Sequence, residues 1–253
     1  MTWLVDLDGV VWLGEEPIAG SAEAIRRLRA DHGQRVVFLT NNSSATIDEY
    51  LAKLDRCGVP SRADDLITSA QAAAALVSPG ETVLVCAGPG VTQALERRGA
   101  TAVRTGPADA VIVGWHRDFD FDRLTAAFRA VAGGARLIGT NDDATYPTPA
   151  GPLPGGGALL AAVAYACGAE ATVAGKPNAP MAALLRARVD DPAVMVGDRC
   201  STDGRFAELL GVPFGLVLSG VTAADAVPTS PMPGMVATDL AALVDQAYGG
   251  DTT

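Results

Sequence analysis

Two aspartates lie close together near the start of the chain, directly after an apolar run. Asp6 and Asp8 follow residues 3–5 and precede Gly9. Residues two apart on a strand point to the same side, so both carboxylates can face the carboxyl end of the strand, where open α/β sheets bind ligands. Two like charges so close repel each other, and a divalent cation is the simplest compensation. Hard carboxylate oxygens favour Mg²⁺.

A carboxylate pair of this kind can divide the work of a phosphoryl transfer. One aspartate can attack phosphorus, while the other protonates the leaving oxygen and later activates water. The plain alternative is that Asp6 and Asp8 are turn or helix-cap acids that end a strand. Their spacing of two before a glycine favours the chemical interpretation, and later segments of the same kind strengthen it.

The next such segment is a run of four hydrogen-bonding residues, Thr40, Asn41, Asn42 and Ser43, which follows the apolar run 35–39. Hydroxyl, amide and backbone N–H donors at a strand-to-helix turn suit a bound phosphate. By itself, an Asn-rich turn with a helix cap explains the same residues.

A lysine and two further acids complete the set. Lys176, which lies between Gly and Pro, could neutralise a nucleophile and the charge that develops on a phosphoryl group. Asp198 follows the apolar run 194–196 and is placed to bind a metal, and Asp203 could hold metal-bound water or Lys176. Alone, Lys176 would be interpreted as a surface lysine, and Asp203 as an acid at the start of a helix. Together, four carboxylates and one lysine leave a charge of about −3, which Mg²⁺ would largely offset.

The elements that must position these residues alternate between short β-type runs and helical runs rich in Ala, Leu and Arg. This alternation predicts an α/β fold with a Rossmann-like, doubly wound parallel-sheet core. In the outer parts of the sequence, strands are predicted at 3–5, 35–39, 194–196 and 214–217. Helices are predicted at 21–30 and 46–57, and a third follows the strand at 194–196 and runs through residue 210.

The middle of the chain predicts a second α/β unit inserted into the first. It contains predicted strands at 82–85, 110–113 and 136–138, helices at 124–131 and 158–166, and a loop rich in Pro and Gly at 146–157. We therefore predict an α/β cap domain over residues 71–170 and a discontinuous core formed by residues 1–70 and 171–253.

Composition narrows the class of protein. The 253 residues are 49% hydrophobic, which is enough for a packed core, and the net charge of −10 argues against binding a nucleic acid polymer. The four cysteines are widely spaced, so neither a zinc motif nor a disulfide framework is expected. The first strand begins by residue 3 and charges or prolines interrupt every apolar run, so we expect a cytoplasmic protein without a signal peptide or membrane span.

The chemical segments, in this order, resemble the motifs of the haloacid dehalogenase superfamily phosphatases. The first to fourth motifs are matched by Asp6-Leu7-Asp8-Gly9-Val10, by Leu39-Thr40-Asn41-Asn42-Ser43, by Gly175-Lys176-Pro177, and by Gly197-Asp198 with Asp203. Thr140-Asn141 and the runs 154–157 and 218–222 are similar to the branch of nitrophenylphosphatases, phosphoglycolate phosphatases and nucleotide phosphatases, which carries a large α/β cap.

The resemblance implies a role for each core residue. Asp6 would be the nucleophile and a magnesium ligand, and Asp8 the general acid/base that also binds metal through its backbone carbonyl. The Thr40–Ser43 turn would hold phosphate, and Lys176 would orient and neutralise the nucleophile and the phosphate. Asp198 would ligate Mg²⁺, and Asp203 would support this metal site.

The expected activity is Mg²⁺-dependent hydrolysis of small phosphate monoesters through an aspartyl-phosphate. The alternatives are a phosphotransferase or mutase that uses the same intermediate, and a non-enzymatic phospho-switch. The substrate stays open among sugar phosphates, nucleoside monophosphates, phosphoglycolate and glycerol phosphate, and the resemblance also suggests a homodimer formed through the cap.

The cap is expected to choose the substrate. His116, Asp142, Asp143 and Tyr146 lie on loops after predicted cap strands and are candidates to contact the leaving group, although each could equally be a solvated loop residue. At two of these positions the chain departs from the branch, which usually has an acid at His116 and a proline at Asp142.

Overall fold

The computed structural model describes residues 1–148, 150–227 and 229–249. Across these residues the strands are, in chain order, β1 (Thr2–Asp6), β2 (Trp12–Leu13), β3 (Glu16–Pro17), β4 (Arg35–Thr40), β5 (Leu66–Thr68), β6 (Thr82–Cys86), β7 (Thr101–Val103), β8 (Ala110–Val113), β9 (Arg136–Gly139), β10 (Thr145–Tyr146), β11 (Leu153–Pro154), β12 (Thr172–Val173), β13 (Pro192–Gly197), β14 (Phe214–Val217) and β15 (Met235–Ala237).

The α-helices of the same ranges pack against the strands and join them. They are α1 (Ser21–Ala30), α2 (Ile47–Arg56), α3 (Ser69–Ala75), α4 (Pro89–Arg98), α5 (Phe121–Ala132), α6 (Gly156–Cys167), α7 (Ala179–Arg186), α8 (Arg205–Leu210) and α9 (Leu240–Tyr248). None of these helices is long and apolar enough to cross a membrane.

Six parallel strands form the first sheet, in the order β15-β14-β13-β1-β4-β5. Its central strands are buried on both faces, as parallel strands covered by helices must be. On β1, Leu4 belongs to one apolar cluster, whereas Trp3 and Val5 belong to the cluster on the opposite face. The predicted doubly wound α/β core is therefore confirmed.

This sheet brings the chemical segments to one edge. Asp6 at the end of β1 lies opposite Leu39, one residue before the end of β4. On the other side of β1, Val5 lies opposite Val196, so β13 ends next to Asp6 and presents Asp198 there. The carboxyl ends of three neighbouring strands thus meet where ligands bind in open α/β sheets.

Five further parallel strands form a second sheet, in the order β12-β9-β8-β6-β7. Its elements come from the middle of the chain, between β5 and β13, which confirms the predicted inserted α/β unit. A third apolar cluster joins this sheet to α5 and α6. The division at residues 71–170 remains a prediction, and β12 belongs to this sheet although it lies beyond residue 170.

Two small hairpins lie at the site. β2 and β3 pair antiparallel directly after the first aspartate pair. β10 and β11 pair antiparallel, with Tyr146 opposite Leu153, in the segment where the sequence predicted only a loop. Strands of two residues are too short to show alternation, so their sequence carries the loop signal of Pro and Gly instead.

Candidate active site

Lys176 lies at the centre of the candidate site, between two carboxylates. It is 1% exposed. Its Nζ donates to Asp6 Oδ1 over 2.6 Å and to Asp203 Oδ1 over 2.7 Å. Burial alone would lower the pKa of Lys176, but Asp203 and Asp6 raise that pKa above its ordinary value, so the amine stays charged. The lysine therefore offsets part of the negative charge and orients Asp6.

Asp203 is held by the backbone around it. It lies in a wide helical turn, Cys200–Gly204, directly before α8. Its Oδ2 accepts a hydrogen bond from the backbone N–H of Arg199 over 3.2 Å. A Cβ on Gly197 would lie 2.3 Å from the Asp203 carboxyl carbon, so the end of β13 requires glycine there. Because its two oxygens contact Lys176 and the backbone, Asp203 acts on the site by positioning Lys176.

Asp198 occupies a cradle that two glycines make. Its Oδ2 accepts a hydrogen bond from the backbone N–H of Val221 over 2.6 Å. A Cβ on Gly9 or Gly220 would lie 2.4 Å or 1.9 Å from the same oxygen. A side chain at either position would displace the carboxylate, so the glycines fix where Asp198 points.

The carboxylate oxygens of Asp6, Asp198 and Asp203 come within 4.8 Å of one another. Burial raises the pKa of Asp198 to about 7, and neighbouring Asp203 adds to the effect. Burial also raises the pKa of Asp6 well above its ordinary value, although Lys176 opposes the shift. Three buried acids thus share one lysine, and such a hard-oxygen set fits a divalent cation. Asp6 and Asp198 are the residues placed to hold it.

Asp8 lies in a different environment from Asp6. Its Oδ1 accepts hydrogen bonds from Trp12 Nε1 over 3.0 Å and from the Tyr146 hydroxyl over 3.1 Å, and Thr40 Oγ1 lies 3.5 Å from its Oδ2. Burial raises the pKa of Asp8, opposed chiefly by Lys53. A carboxyl with a raised pKa that is held by donors on one oxygen is suited to gain and lose a proton.

The turn after β4 contributes some of its residues to the cleft and others to the contact with the second sheet. Thr40, Asn41 and Asn42 line the cleft. Ser43 does not: it is fully buried and donates from Oγ to Thr140 Oγ1 over 2.9 Å, which joins the turn to the second sheet. Its placement therefore differs from the predicted phosphate contact, because its side chain turns away from the cleft.

Asn41 is a bridge between three segments. Its Nδ2 donates to Asp143 Oδ2 over 2.9 Å and to the Lys176 carbonyl over 3.0 Å, and its Oδ1 accepts from the Lys176 N–H over 2.8 Å. Its carbonyl accepts from Asn141 Nδ2 over 2.7 Å. The amide thus fixes the backbone of Lys176 and ties it to the inserted unit.

Of the four cap candidates, the structure brings two into the cleft. Asp143 and Tyr146 line it, whereas His116 and Asp142 do not. His116 is buried, and its Nδ1 donates to the Gly114 carbonyl over 2.8 Å, whereas Asp142 is exposed. The interpretation of these two residues as substrate contacts is therefore not supported by their placement.

Other residues of the cleft had not been singled out from the sequence. Trp115 lies with its ring centroid 5.2 Å from that of Tyr146, and Arg199 pairs with Asp143 over 3.6 Å. Trp115 is adjacent to His116 and follows an apolar strand, so its position after β8 was an available signal. Arg199 lies between Asp198 and Asp203, but an arginine beside acids is too common to indicate a site.

The cleft that these residues enclose is small, with a cavity volume of about 60 Å³. Acids and Lys176 occupy its floor at the sheet edge, and Trp115 and Tyr146 form part of its wall. Such an arrangement can neutralise a phosphate, present a carboxylate nucleophile and supply a proton from a second carboxyl.

Comparisons with known proteins agree with this geometry. The family profile described as haloacid dehalogenase-like hydrolase matches residues 3–101, and one described as HAD-hydrolase-like matches residues 173–243. The D-glycerol 3-phosphate phosphatase of Mycobacterium tuberculosis is 36% identical over 250 residues, covering 95% of this chain and 70% of the relative. The dihydroxyacetone phosphatase of Corynebacterium glutamicum is 34% identical over 232 residues, covering 88% of this chain and 82% of the relative.

Solved structures show the same likeness. A crystal structure of the Mycobacterium tuberculosis glycerol phosphate phosphatase in complex with magnesium has a TM-score of 0.87 at 36% identity, covering 96% of this chain and 75% of that one. The 4-nitrophenylphosphatase of Thermotoga maritima has a TM-score of 0.88 at 27% identity, covering 96% of both chains.

The fold, the acid set and these matches define a class: the chain belongs to the haloacid dehalogenase-like hydrolase family. Relatives named as glycerol phosphate phosphatase and p-nitrophenyl phosphatase place it, within the family, among the subfamily IIA-like phosphatases. The chain is accordingly a phosphoric monoester hydrolase, as the motifs predicted.

Proposed function

We propose that this enzyme is a Mg²⁺-dependent phosphatase that hydrolyses small phosphate monoesters through an aspartyl-phosphate on Asp6. The observation that carries the proposal is the buried contact of 2.6 Å between Asp6 and Lys176, with Asp198 close by. This contact orients the Asp6 carboxyl at the cleft, and the ammonium group of Lys176 favours its ionised form against the effect of burial. Lys176 would also neutralise the phosphate as it binds.

Asp6 and Asp198 would hold Mg²⁺, with the backbone carbonyl of Asp8 as a further ligand by family resemblance. When bound, the ion supplies positive charge that lets a phosphate dianion approach three carboxylates. The observed cradle of Gly9 and Gly220 around Asp198 supports this assignment.

The proposed reaction has two steps. An oxygen of Asp6 attacks phosphorus while the bond from phosphorus to the ester oxygen breaks, and Asp8 gives its proton to that oxygen, so that the leaving group departs as an alcohol. Asp8 then takes a proton from water as the water oxygen attacks phosphorus and the bond from phosphorus to the Asp6 oxygen breaks, which releases inorganic phosphate and restores the Asp6 carboxylate. Trp12 and Tyr146 hold the Asp8 carboxyl during both transfers.

We propose further that the substrate is a short polyol or sugar phosphate. Trp115 and Tyr146 line the cleft on the side of Asp8, where the leaving group must lie, and the Tyr146 hydroxyl contacts Asp8 directly. The relatives named glycerol-3-phosphate phosphatase, dihydroxyacetone phosphatase and acid sugar phosphatase support the same size class.

The test combines turnover with detection of the intermediate. Wild-type protein with Mg²⁺ should release phosphate from p-nitrophenyl phosphate and from glycerol 3-phosphate, and EDTA should abolish both activities. Asp6→Asn should lose turnover by more than about 1000-fold while keeping its circular dichroism spectrum. Borohydride added during turnover should reduce the aspartyl-phosphate, so that peptide mass spectrometry finds homoserine at position 6.

The matched control is Asp245→Asn, which changes an exposed aspartate that pairs with Arg27 far from the cleft. It should retain wild-type turnover. Phosphate release by Asp6→Asn at the wild-type rate, or trapping of phosphate on a residue other than Asp6, would contradict the proposed mechanism.

A further inference from the structure

A second cavity, of about 580 Å³, lies away from the candidate active site and shares none of its lining residues. Four arginines line it: Arg35, Arg97, Arg98 and Arg188. Asp64 is the one acidic residue in the lining. In a chain of net charge −10, this concentration of guanidinium groups around one cavity is unusual. We call this cavity the arginine groove.

The arginines come from elements of both sheet units. Arg35 begins β4, and Arg188 follows α7. Arg97 and Arg98 end α4, which packs beside the second sheet. The groove therefore lies at the junction of the two units, with Ala74, Ala75, Ala94 and Leu184 also lining it.

The positive charge in the groove is only partly compensated. Arg35 donates to the carbonyls of Arg188 and Asp64, each over 3.2 Å, and lies 3.7 Å from Asp65. Arg98 donates to the Val77 carbonyl over 3.0 Å. Within residues 1–148, 150–227 and 229–249, the guanidinium groups of Arg97 and Arg188 form no salt bridge or side-chain hydrogen bond. Partial burial lowers the pKa of Arg188, and Asp64 opposes that shift.

A helix favours basic residues in its last turn, which accounts for Arg97 and Arg98 by themselves. It does not account for Arg35 and Arg188, which belong to other elements and face the same cavity. Like charges brought together by folding repel, and an anion seated among them removes that cost. Guanidinium groups bind phosphate oxygens in pairs, with several N–H donors each.

We propose that the arginine groove binds a small polyphosphate anion, a class that includes nucleoside di- and triphosphates. Several guanidinium groups require several negative charges close together, which one monophosphate does not supply. A long nucleic acid is disfavoured, because the rest of this acidic chain would repel it. The anion would contact Arg35 and Arg188 on one side and Arg97 and Arg98 on the other, so it would tie the two sheet units together.

The binding test uses inorganic tripolyphosphate and the full chain in low-salt buffer with EDTA. EDTA keeps metal out of the catalytic cleft, whose acids then repel the probe. Calorimetry should show one saturable site that binds tripolyphosphate at least about tenfold more tightly than inorganic phosphate, and affinity should fall steeply with added salt. Thermal unfolding of the wild type should shift upward with tripolyphosphate.

Variants locate the site. Arg97→Gln with Arg188→Gln should weaken tripolyphosphate binding by at least about tenfold. Asp64→Asn should tighten binding, which is a gain that misfolding cannot produce. Arg62→Gln is the matched control, because Arg62 is an 88% exposed arginine that does not line the groove. None of these residues lines the cleft, so p-nitrophenyl phosphate turnover with Mg²⁺ should be unchanged in all of them.

Two results would overturn the proposal. One is the absence of saturable tripolyphosphate binding to the wild type at low salt. The other is equal affinity in the wild type, in the double variant and in Asp64→Asn, which would place any binding elsewhere on the molecule.

Discussion

At the scale of single residues, Trp12 is the clearest functional side chain that the motifs did not reveal. Its indole N–H donates to Asp8 Oδ1, and Lys53 Nζ lies 4.4 Å from its ring centroid. The indole is buried and cannot move away, so it fixes the carboxyl that would protonate the leaving group. In the sequence, Trp12 is simply an aromatic residue in an apolar run, which predicts core packing.

Replacing Trp12 by phenylalanine removes this donor and keeps an aromatic ring. We expect kcat/KM for glycerol 3-phosphate to fall by about tenfold, the effect of one hydrogen bond to an ionisable group. The effect on p-nitrophenyl phosphate should be smaller, because nitrophenolate leaves readily without a proton. Steady-state kinetics of the wild type and the variant give the fold-loss in kcat/KM for each substrate.

Trp3→Phe is the control for a general loss of packing, since Trp3 is buried on β1 and does not line the cleft. It should affect both substrates equally. If Trp12→Phe lowered kcat/KM equally for both substrates, the role of Trp12 would be packing and not support of proton transfer by Asp8.

Gly220→Ala tests the cradle around Asp198. The new Cβ would lie 1.9 Å from Asp198 Oδ2, so the carboxylate must move. We expect the Mg²⁺ concentration for half-maximal activity to rise by about tenfold or more, which matches the effect of disturbing groups around a metal ligand. Gly234→Ala is the control, because its Cβ would meet only the Phe214 carbonyl, at 3.6 Å. An unchanged Mg²⁺ requirement in Gly220→Ala would show that the cradle does not hold a metal ligand.

At the scale of elements, the turn after β4 joins the two sheet units. Ser43 contributes one of the contacts, the hydrogen bond to Thr140 Oγ1. Ser43→Ala should lower the free energy of unfolding by about 1 kcal/mol, because it leaves a buried hydroxyl without its partner. KM should stay within about twofold of the wild type, since Ser43 does not line the cleft.

Denaturant unfolding and steady-state kinetics check the two parts of this prediction. Ser44→Ala serves for comparison, since Ser44 donates to Asn42 Oδ1 over 2.7 Å in the same turn. A large rise in KM for Ser43→Ala would contradict this prediction and indicate that Ser43 contacts the phosphate, as the sequence predicted.

The same turn shows how far sequence reasoning reaches. The order of an apolar run and the polar residues that follow it is enough to predict β1, β4 and β13 and the sheet edge at which Asp6, Thr40 and Asp198 meet. It does not predict that Ser43 faces away from Asn42. Neighbouring positions in a turn have no fixed period, so their direction depends on the cap segment that packs on them.

Other elements were missed for a similar reason. The strands β5, β7 and β15 have three residues each, which is too short to show alternation. The helix α3 has the Ala-rich sequence Ser-Ala-Gln-Ala-Ala-Ala-Ala, which shows no amphipathic period. His116 and Asp142 were chosen because they follow cap strands. That rule identifies the loop, but the direction of each side chain depends on packing, and it turned His116 inward.

At the scale of the whole molecule, the acid cluster links stability to pH and metal. The ordinary pKa of an aspartate in an unfolded chain is about 3.9. Burial raises the pKa of Asp198 to about 7 in the metal-free protein. Between these values the folded protein binds more protons than the unfolded chain, so its stability falls as pH rises toward 7. Above that pH the carboxylate is ionised and can bind Mg²⁺.

We therefore expect Mg²⁺ to raise the melting temperature little at about pH 5.5 and markedly at about pH 8, since protons compete with the metal. Thermal scans with EDTA and with Mg²⁺ at both pH values measure the difference. Asp198→Asn should remove the pH dependence of the Mg²⁺ effect, whereas Asp245→Asn should keep it. A Mg²⁺ effect of equal size at both pH values would show that metal binding does not depend on these acids.

Dimerisation through the cap stays a prediction, which light scattering can check.

The burial of Lys176 has a practical consequence for chemical labelling. The sequence contains two lysines, Lys53 and Lys176. An amine-directed reagent can reach the Met1 amine, at a residue that is 72% exposed, but not the Lys176 amine, at a side chain that is 2% exposed. Labelling of the Lys176 peptide, followed by mass spectrometry, would therefore measure how often the folded molecule opens. One natural side chain would report on that motion without any introduced probe.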